Sequence, residues 1–348
     1  MKNLTLVLLL FFTTTFVKAQ ELENILIAAD DAGLLLQNYV NPVMKGLMYD
    51  MNGGWYTTAK THKTFGFDIT INANASFVPS SDQMFAFVPN DYMFLSLPNG
   101  ETELPTLMSE NNAETTVNVR IDNGNGTYNV ASFEMPGGIT EDLPINAVPA
   151  PMVQLGLGLP LNTDIKLRLV PNINFDEDVE ANLFGLGLQH DLMQYFGPLE
   201  KLPLNLSILA AFTNMDVTYN IEDGDSGDDV TVTNGEAQFK MNTWTLQALA
   251  SLDFKVVTLY GGFGYNNGTS STKMKGTYTV DYDVEDGGGN VIGTASETVT
   301  DPISLDFDAN GVRATLGARL NIGFFKIFAD YTLQEYNTAS AGIAFSFR

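Results

Sequence analysis

Apolar and polar residues alternate strictly over several long stretches of this chain, and the clearest runs from Phe65 to Phe77. Its odd positions are apolar, whereas its even positions are polar or glycine. Successive side chains of a β-strand point to opposite faces, so this stretch predicts a strand with one apolar and one polar face. Strands in globular proteins usually have about 5–6 residues, whereas a tilted strand that crosses a membrane needs about 9–11. The stretch therefore favours a membrane-spanning strand.

The pattern recurs along the chain and predicts ten strands in all. The further segments are 153–159, 165–169, 180–189, 204–213, 244–252, 257–265, 312–322, 327–333 and 341–347, and the facing of 180–189 is left open. An even number of antiparallel strands is typical of bacterial single-chain barrels. Glycine-rich turns also join 115–121 to 127–133 and 277–284 to 291–299. These pairs are either external hairpins or extra barrel strands, which would raise the number to 12–14.

The connections between the predicted strands alternate between short and long, except that the hairpin near Asn337 is short at the end where the others are long. Short ones lie near Asn162-Thr163, 190–203, Phe254-Lys255 and Gly323-Phe324, and long ones span 79–149, 172–180, 221–236 and 267–310. Short periplasmic turns and long outer loops are typical of transmembrane barrels. A secreted β-sandwich is the rival fold, but its strands would be about half as long. We therefore expect an all-β, antiparallel transmembrane β-barrel over residues 64–348, with an N-terminal helical segment.

The N-terminal region predicts export and then helices. Lys2, the apolar run 4–12 and Val17-Lys18-Ala19 form a signal peptide over residues 1–19. Residues 20–50 have apolar residues at helical spacing, and Asn41-Pro42 indicates the start of a second helix. Asn52-Gly53-Gly54 predicts its end. Residues 20–63 are thus predicted to form a plug or cap, and the mature protein to reside in the outer membrane.

Charge is distributed very unevenly along the sequence. The formal net charge is −24, and the four long connections alone sum to −25. An acidic chain of this kind is poorly suited to nucleic acid, which needs a basic surface. The chain has no cysteine, which excludes disulfides and thiolate metal sites. The acidity therefore belongs to the face that we expect to lie outside the cell.

Charged residues on the polar faces of the strands would line the barrel lumen. If the apolar series faces lipid, the inward set comprises Asp68, Lys166, Arg168, Arg313, Arg319, Lys326 and Asp330, and it is net positive. The leading helix carries four acids, Glu21, Glu23, Asp30 and Asp31. One hypothesis is that this acidic helix docks in the basic lumen. The alternative is that the lumen charges pair with each other across neighbouring strands.

Other chemistry is weakly indicated. Asp223, Asp225, Asp228 and Asp229 invite a calcium site, but the glycine and glutamate positions of an EF-hand loop do not match. His62 and His190 have no partner at metal-ligand spacing and are interpreted as surface residues. No hydrolase, metalloprotease or phosphate-loop motif occurs. We therefore predict no enzymatic activity, no cofactor and no specific metal site.

Two segments carry a family resemblance. Ala341 to Phe347 resembles the alternating aromatic signal that the barrel-insertion machinery reads, with Ile343, Phe345 and Phe347 as its apolar positions, although Arg348 follows the usual terminal phenylalanine. Gly53-Gly54-Trp55-Tyr56 through Phe65-Gly66-Phe67-Asp68 resembles an uncharacterised exported barrel family of Bacteroidota type. More distantly, the arrangement is similar to long-chain fatty-acid transporter porins. This resemblance implies contact with outer-membrane lipid and lipopolysaccharide.

Two functions remain open at this stage. Ten to fourteen strands enclose a lumen narrower than the roughly 16 strands of an open porin. The first function is therefore a narrow or plugged channel for small or hydrophobic solutes. The second is a non-transporting structural or accessory subunit of an outer-membrane complex, with 79–149 as its contact surface.

Overall fold

The computed structural model describes residues 23–110, 115–143, 145–176, 179–197, 203–225 and 230–347. The predicted signal peptide, Glu21, Asp228, Asp229 and Arg348 lie outside these residues. Within them, no helix combines the length and hydropathy needed to cross a membrane.

Ten antiparallel strands form one closed ring. They are β1 (Phe67–Ser76), β2 (Val148–Leu159), β3 (Thr163–Asp176), β4 (Val179–Asp191), β5 (Leu204–Ile221), β6 (Val230–Asp253), β7 (Val257–Asp286), β8 (Ile303–Ile322), β9 (Phe325–Leu333) and β10 (Thr338–Phe347). Each pairs with its sequence neighbours, and β1 closes the ring against β10, with Phe67 opposite Phe347. The predicted ten-stranded antiparallel barrel is confirmed.

The apolar series points outwards from this ring over a band of about nine residues per strand. Leu316 on β8 is 75% exposed, whereas Arg168 on the inner face of β3 is fully buried. The facing of β4, which the pattern did not settle, is now clear, because Phe184 and Leu188 are exposed and Leu183 is buried. The ring therefore has an apolar outer surface and a polar interior, the reverse of a soluble barrel.

Beyond this band the strands continue and the pattern inverts. On β8, Leu305 and Phe307 are buried inside the ring, while Asp306 and Asp308 are exposed outside it. β7 reaches 30 residues, so 267–286 is strand, and so is 172–176. The prediction of long loops over 172–176 and 267–286 is wrong. The inner face of the outer half of β7 covers an apolar core, in which Tyr278, Val280 and Tyr282 are buried. We call the end of the barrel that contains the outer strand halves the loop end. The opposite end, with the short connections, is called the turn end.

Additional strands decorate the loop end without joining the ring. An outer hairpin consists of Thr115–Asp122 and Thr127–Met135, and its second strand pairs with the tip of β7. An edge strand, Val291–Thr300, pairs with the outer half of β7. Short pairings involve Leu95–Ser96, Gly224–Asp225, and Met84–Ala86 with Glu103–Pro105. The first doubtful strand pair of the sequence is therefore an external hairpin, whereas the second joins the outer half of β7 to an edge strand, and the ring does not grow to 12 or 14.

The N-terminal region forms a 3₁₀ helix, Glu23–Asp31, followed by one α-helix, α1, over Ala32–Met51. Pro42 lies inside α1, so the predicted helix boundary at Asn41-Pro42 is wrong. The change of helix type occurs instead at Asp31, whose carboxylate accepts hydrogen bonds from the backbone N–H groups of Met93 and Phe94. Most residues of α1 are buried, and this packing offsets the one hydrogen bond that the proline removes. The predicted end at Asn52-Gly53-Gly54 is confirmed.

Candidate functional site: the filled lumen

Residues 52–64, which we call the plug segment, lead from the end of α1 through the inside of the ring to β1. Near the loop end, Asn52 contacts β7 and β8. At the turn end, His62 contacts the start of β3, and the N–H of Phe65 donates to the carbonyl of Gly158 on β2. The chain thus enters the ring at the loop end and leaves it at the turn end.

Arg168 on β3 holds the junction of α1 and the plug segment. Its Nη1 donates to the carbonyl of Met51 at 2.9 Å, and its Nη2 donates to the carbonyl of Gly53 at 2.7 Å. Its Nε donates to Gln154 at 3.2 Å. The guanidinium also stacks on the ring of Trp55, 3.7 Å from its centroid. Each nitrogen of this buried guanidinium therefore has a hydrogen-bond partner.

Arg313 on β8 grips the same junction from another side of the ring. Its Nη1 donates to the carbonyl of Asn52 at 2.7 Å. No carboxylate lies within ion-pair distance of either arginine in the described part of the chain. Both cations instead face the carboxyl end of α1, where unsatisfied carbonyls carry partial negative charge.

This geometry corrects the charge hypothesis from the sequence. Asp31 binds backbone N–H groups of the segment after β1, and Asp30 is exposed at the loop end. Asp30 and Asp31 are therefore not what the basic lumen contacts, and the side chains of Glu21 and Glu23 lie outside the described part of the chain. Arg168 and Arg313 contact main-chain carbonyls instead. A count of side-chain charges along the sequence does not include these carbonyls.

Trp55 fills the middle of the lumen and is almost fully buried. A Cβ at Gly187 would lie 2.9 Å from its ring, so two glycines of β4, Gly185 and Gly187, leave the space that the indole occupies. Tyr56 continues the packing, and its hydroxyl donates to Gln247 on β6 at 3.2 Å. Wall glycines and plug aromatics are therefore complementary in shape.

The lower plug segment is held by polar contacts. Thr58 and Ser251 share a hydrogen bond of 3.1 Å, and Arg319 donates to the hydroxyl of Thr57 at 3.0 Å. Both the backbone N–H and the ring Nδ1 of His62 lie 2.9 Å from the carboxylate of Asp164. The interpretation of His62 as a surface residue is wrong, since its ring packs from the plug segment against the wall at Asp164.

The structure places all seven predicted lumen residues on the inner face of the ring, but in different surroundings. Asp330 accepts a hydrogen bond from Tyr260 at 2.8 Å. Lys166 is buried, and Asp68 lies 3.8 Å from Nε2 of His62. Lys326 is half-buried at the turn end, where it donates to the carbonyl of Gly323. The sequence missed Trp55 and His62, because nothing in their local pattern distinguishes an inward contact from a surface position. Gln154 lies on the polar face of the strand predicted over 153–159, but it carries no charge that would single it out.

The C-terminal residues that resemble the insertion signal lie on the outer face. Ile343, Phe345 and Phe347 stand opposite Ile71, Ile69 and Phe67 of β1. Phe67 and Phe347 stack with their ring centroids 5.0 Å apart, and Phe324 stacks on Phe347 at 5.9 Å. An aromatic cluster thus surrounds the seam between β1 and β10 at the turn end.

A hydrophobic core closes the lumen at the loop end. It joins both N-terminal helices, the outer strand halves and the segment between β1 and β2, with Ile25, Leu35, Met48, Leu104, Met108, Val117 and Phe307 among its buried members. Glu335, in the turn before β10, ties α1 to the rim through Tyr49 at 2.6 Å and Lys45 at 2.9 Å. Burial acts to raise the pKa of Glu335, but these two hydrogen bonds and the charge of Lys45 outweigh it and hold the pKa below its usual value.

The weak calcium candidates do not assemble into a described site. Asp223 accepts a hydrogen bond from the backbone N–H of Asn234. Asp228 and Asp229 fall outside the described residues, as does the side chain of Asp225. Among the residues that are described, no group of three or more acidic or histidine side chains is arranged to hold a metal ion.

Comparison with known proteins identifies the family. A model described as a family of unknown function (DUF6588) matches residues 1–347. The chain belongs to this family. No curated protein matches the chain. The Bacteroidota-type affiliation stays a prediction.

Solved structures similar to this chain include several membrane barrels. The attachment invasion locus protein Ail of Yersinia pestis is 9% identical, with 82% of this chain and 100% of that chain covered and a TM-score of 0.25. The translocator domain of the autotransporter NalP from Neisseria meningitidis is 12% identical, with 82% and 90% covered and a TM-score of 0.25. A FadL homologue of Pseudomonas aeruginosa is 11% identical, with 88% and 96% covered and a TM-score of 0.21. TM-scores this low carry no argument about function.

Proposed function

We propose that this protein is a bacterial outer-membrane β-barrel whose lumen is closed by its own N-terminal region. In this proposal it serves as a membrane-anchored surface structure, a non-transporting subunit, and its loop end faces the exterior. The observation that carries the proposal is the hydrophobic core that joins α1 to the outer strand halves.

The outer surface of the ring supports the membrane assignment. Its apolar band is about as tall as the 9–11 residues that a tilted strand uses to cross a bilayer. Exposed aromatic residues lie at both borders of the band, Phe324 and Phe347 at the turn end and Trp244 and Tyr331 towards the loop end. Aromatic girdles of this kind sit at the two membrane interfaces. Lipid and lipopolysaccharide are therefore the proposed surroundings of the band.

The energy needed to withdraw α1 favours a permanently closed barrel. Burial of one large apolar side chain contributes about 1.5–3 kcal/mol. Leu35, Leu36 and Met48 of α1, each almost completely buried, therefore contribute roughly 5–9 kcal/mol together. Each 1.4 kcal/mol is a tenfold factor, so the withdrawn state is populated at less than about one part in a thousand. Opening by loss of α1 is negligible without a source of energy.

Single-channel recording with a reversible crosslink tests the proposal. The natural chain has no cysteine, so T58C/S251C introduces one specific pair at the 3.1 Å contact between the plug segment and β6. We expect the purified wild-type protein to give no conductance above that of the bare bilayer, and the oxidised and reduced variant to behave alike. Wild-type conductance steps would contradict the proposal, and their loss on oxidation with recovery on reduction would assign them to movement of the plug segment.

A narrow plugged channel is the second candidate, and one observation favours it. Several buried polar atoms near the plug segment have no partner among the described protein groups, including Asp68 Oδ1, Arg319 Nε and Asn321 Oδ1. Buried polar groups are normally satisfied by protein or water, so this part of the lumen is suited to hydration. Liposome swelling in solutes of increasing size separates the two candidates: uptake of small polar solutes supports the channel, and no uptake supports the closed barrel.

A further inference from the structure

The edge strand Val291–Thr300 has one ladder and one open side. On one side it pairs with the outer half of β7 from Thr300 opposite Thr277 to Val291 opposite Glu285. On its other side no strand pairs with it in the described part of the chain. Most of its residues are exposed. It therefore presents a row of backbone N–H and C=O groups to solvent at the loop end.

Most of the usual protections of an exposed edge are missing from this strand, and Glu297 is its one charged residue. Natural edges are blocked by charged side chains, especially lysine, by proline, by bulges or by being very short. This strand has ten residues with no proline and no basic residue, and its register with β7 shifts only at the tip, between Val284 and Glu285. Side-chain hydrogen bonds also stiffen the ladder, as between Thr298 and Thr279 and between Ser296 and Asp281. Backbone and side-chain hydrogen bonds to β7 thus hold the edge strand extended, with its other side open to a further strand.

The charge around the edge selects the kind of strand that can be added. Asp281 and Asp283 lie on the adjacent half of β7, and Glu297 lies on the edge strand itself, whereas Glu285 of β7 is already paired with Arg120 of the outer hairpin. In the whole hairpin from 277 to 300 there is no basic residue. A second copy of this acidic surface would be repelled, whereas a basic strand would be attracted.

We propose that the edge strand binds a basic, extended polypeptide by strand addition, with lysine or arginine at alternate positions of the added segment. Backbone hydrogen bonds supply the pairing, and the acidic row supplies the preference for basic side chains. The exterior location rests on the proposed function, but the binding itself is a property of the purified protein and is testable in detergent micelles. Failure of one is therefore distinguishable from failure of the other.

Binding of three labelled decapeptides, measured by fluorescence anisotropy, tests the inference. The first alternates threonine and lysine, the second alternates threonine and glutamate, and the third alternates proline and lysine. The third peptide keeps the positive charge but favours the polyproline conformation over a strand. We expect the first to bind at least about tenfold more tightly than the other two. Equal binding of the first and third would show adsorption by charge alone and would overturn strand addition.

Two sets of variants probe the protein side. Alternate residues direct their N–H groups to opposite edges of a strand, so either Ala295→Pro or Ser296→Pro removes a donor from the open edge alone. We expect the member of this pair that keeps wild-type thermal stability to bind the first peptide about tenfold more weakly. Unchanged binding by that variant would refute the inference. If both variants lose stability, the peptide comparison decides.

The charge component has its own matched pair. Glu297→Lys changes the edge strand, and Glu134→Lys makes the same change on the exposed outer hairpin. We expect E297K to weaken binding of the threonine–lysine peptide several-fold more than E134K does. Equal effects would mean that only the overall charge matters. Light scattering without peptide tests whether the edge binds a second copy of this chain. A dimer that E297K weakens or strengthens would assign the edge to a second copy and would also overturn the proposal.

Discussion

Arg168 holds the junction of α1 and the plug segment against the wall of the barrel. It is fully buried, spans the space between β3 and the plug segment, and joins Met51, Gly53 and Trp55 in one cluster. Arg168→Met keeps most of the aliphatic stem but removes every hydrogen bond and the cation. We expect this variant to loosen the plug segment while the barrel stays intact.

The magnitude follows from the groups that lose their partner. Each buried carbonyl left without a hydrogen bond costs about 1–3 kcal/mol, and loss of a desolvated cation–π contact adds up to about 2 kcal/mol. Relief of the desolvation of the buried guanidinium offsets part of this cost. The carbonyl of Met51 also accepts from Trp55 at 3.2 Å, so it is not entirely orphaned. A net loss of about 3–4 kcal/mol in the docking of the plug segment is expected.

Tryptophan fluorescence measures this docking directly. The chain has two tryptophans, and Trp244 lies on the outer face of β6 while Trp55 lies in the lumen. In a W244F background, Trp55 is the single reporter. We expect R168M to increase quenching of Trp55 by acrylamide and to lower the urea concentration at which its emission shifts to longer wavelength.

The matched control is Arg120, which also stacks on an aromatic ring but lies on the exposed outer hairpin. Its guanidinium is 3.8 Å from the centroid of Tyr128, and it pairs with Glu285 at 3.1 Å. An exposed ion pair contributes about 0–1 kcal/mol, so Arg120→Met should leave Trp55 unchanged. If R168M altered the quenching of Trp55 no more than R120M does, Arg168 would not hold the plug segment.

Two further predictions concern the outer surface and the rim. Leu316→Lys places a charge in the apolar band, and we expect it to reduce stability in lipid vesicles by about 2–4 kcal/mol, the cost of lysine near a bilayer midplane, as measured by urea unfolding. Glu335→Gln removes the acid sensitivity of the contact with Lys45 and Tyr49. Because the folded pKa of Glu335 is below its usual value, its contribution is complete above about pH 4.5 and is lost as the pH falls through the folded pKa. Urea midpoints measured between pH 3 and 6 should therefore fall less with acid in E335Q than in the wild type.

Each of these two predictions has a control and a contrary outcome. Asp306→Lys introduces lysine on the same outer face of β8 but beyond the band, and it should be tolerated. Equal losses for L316K and D306K would contradict the assignment of the band to lipid. For the rim, an identical acid response of E335Q and the wild type would show that the contact with α1 contributes nothing to stability.

The sequence by itself determined the ring. Strict alternation such as that from Phe65 to Phe77 is a local property, since the two faces of a strand follow from its own geometry. The same reasoning identified the ten strands, the apolar face and the inward charges, including Arg168 and Arg313. The end of α1 at Asn52-Gly53-Gly54 was also readable, because glycine terminates helices for local reasons.

Only the tertiary structure decided what fills the ring and where its loops end. Leu305 and Phe307 lie in a strand and point inwards, although the pattern there is inverted. They do so because they cover an apolar surface of α1, which lies more than 250 residues earlier in the chain. Arg168 donates to the carbonyl of Met51, 117 positions away. This carbonyl is a main-chain group that every residue possesses. Alternation specifies which way a side chain points. The partner that the side chain meets depends on contacts between distant segments. Those contacts form only when the chain closes around its own N-terminal region.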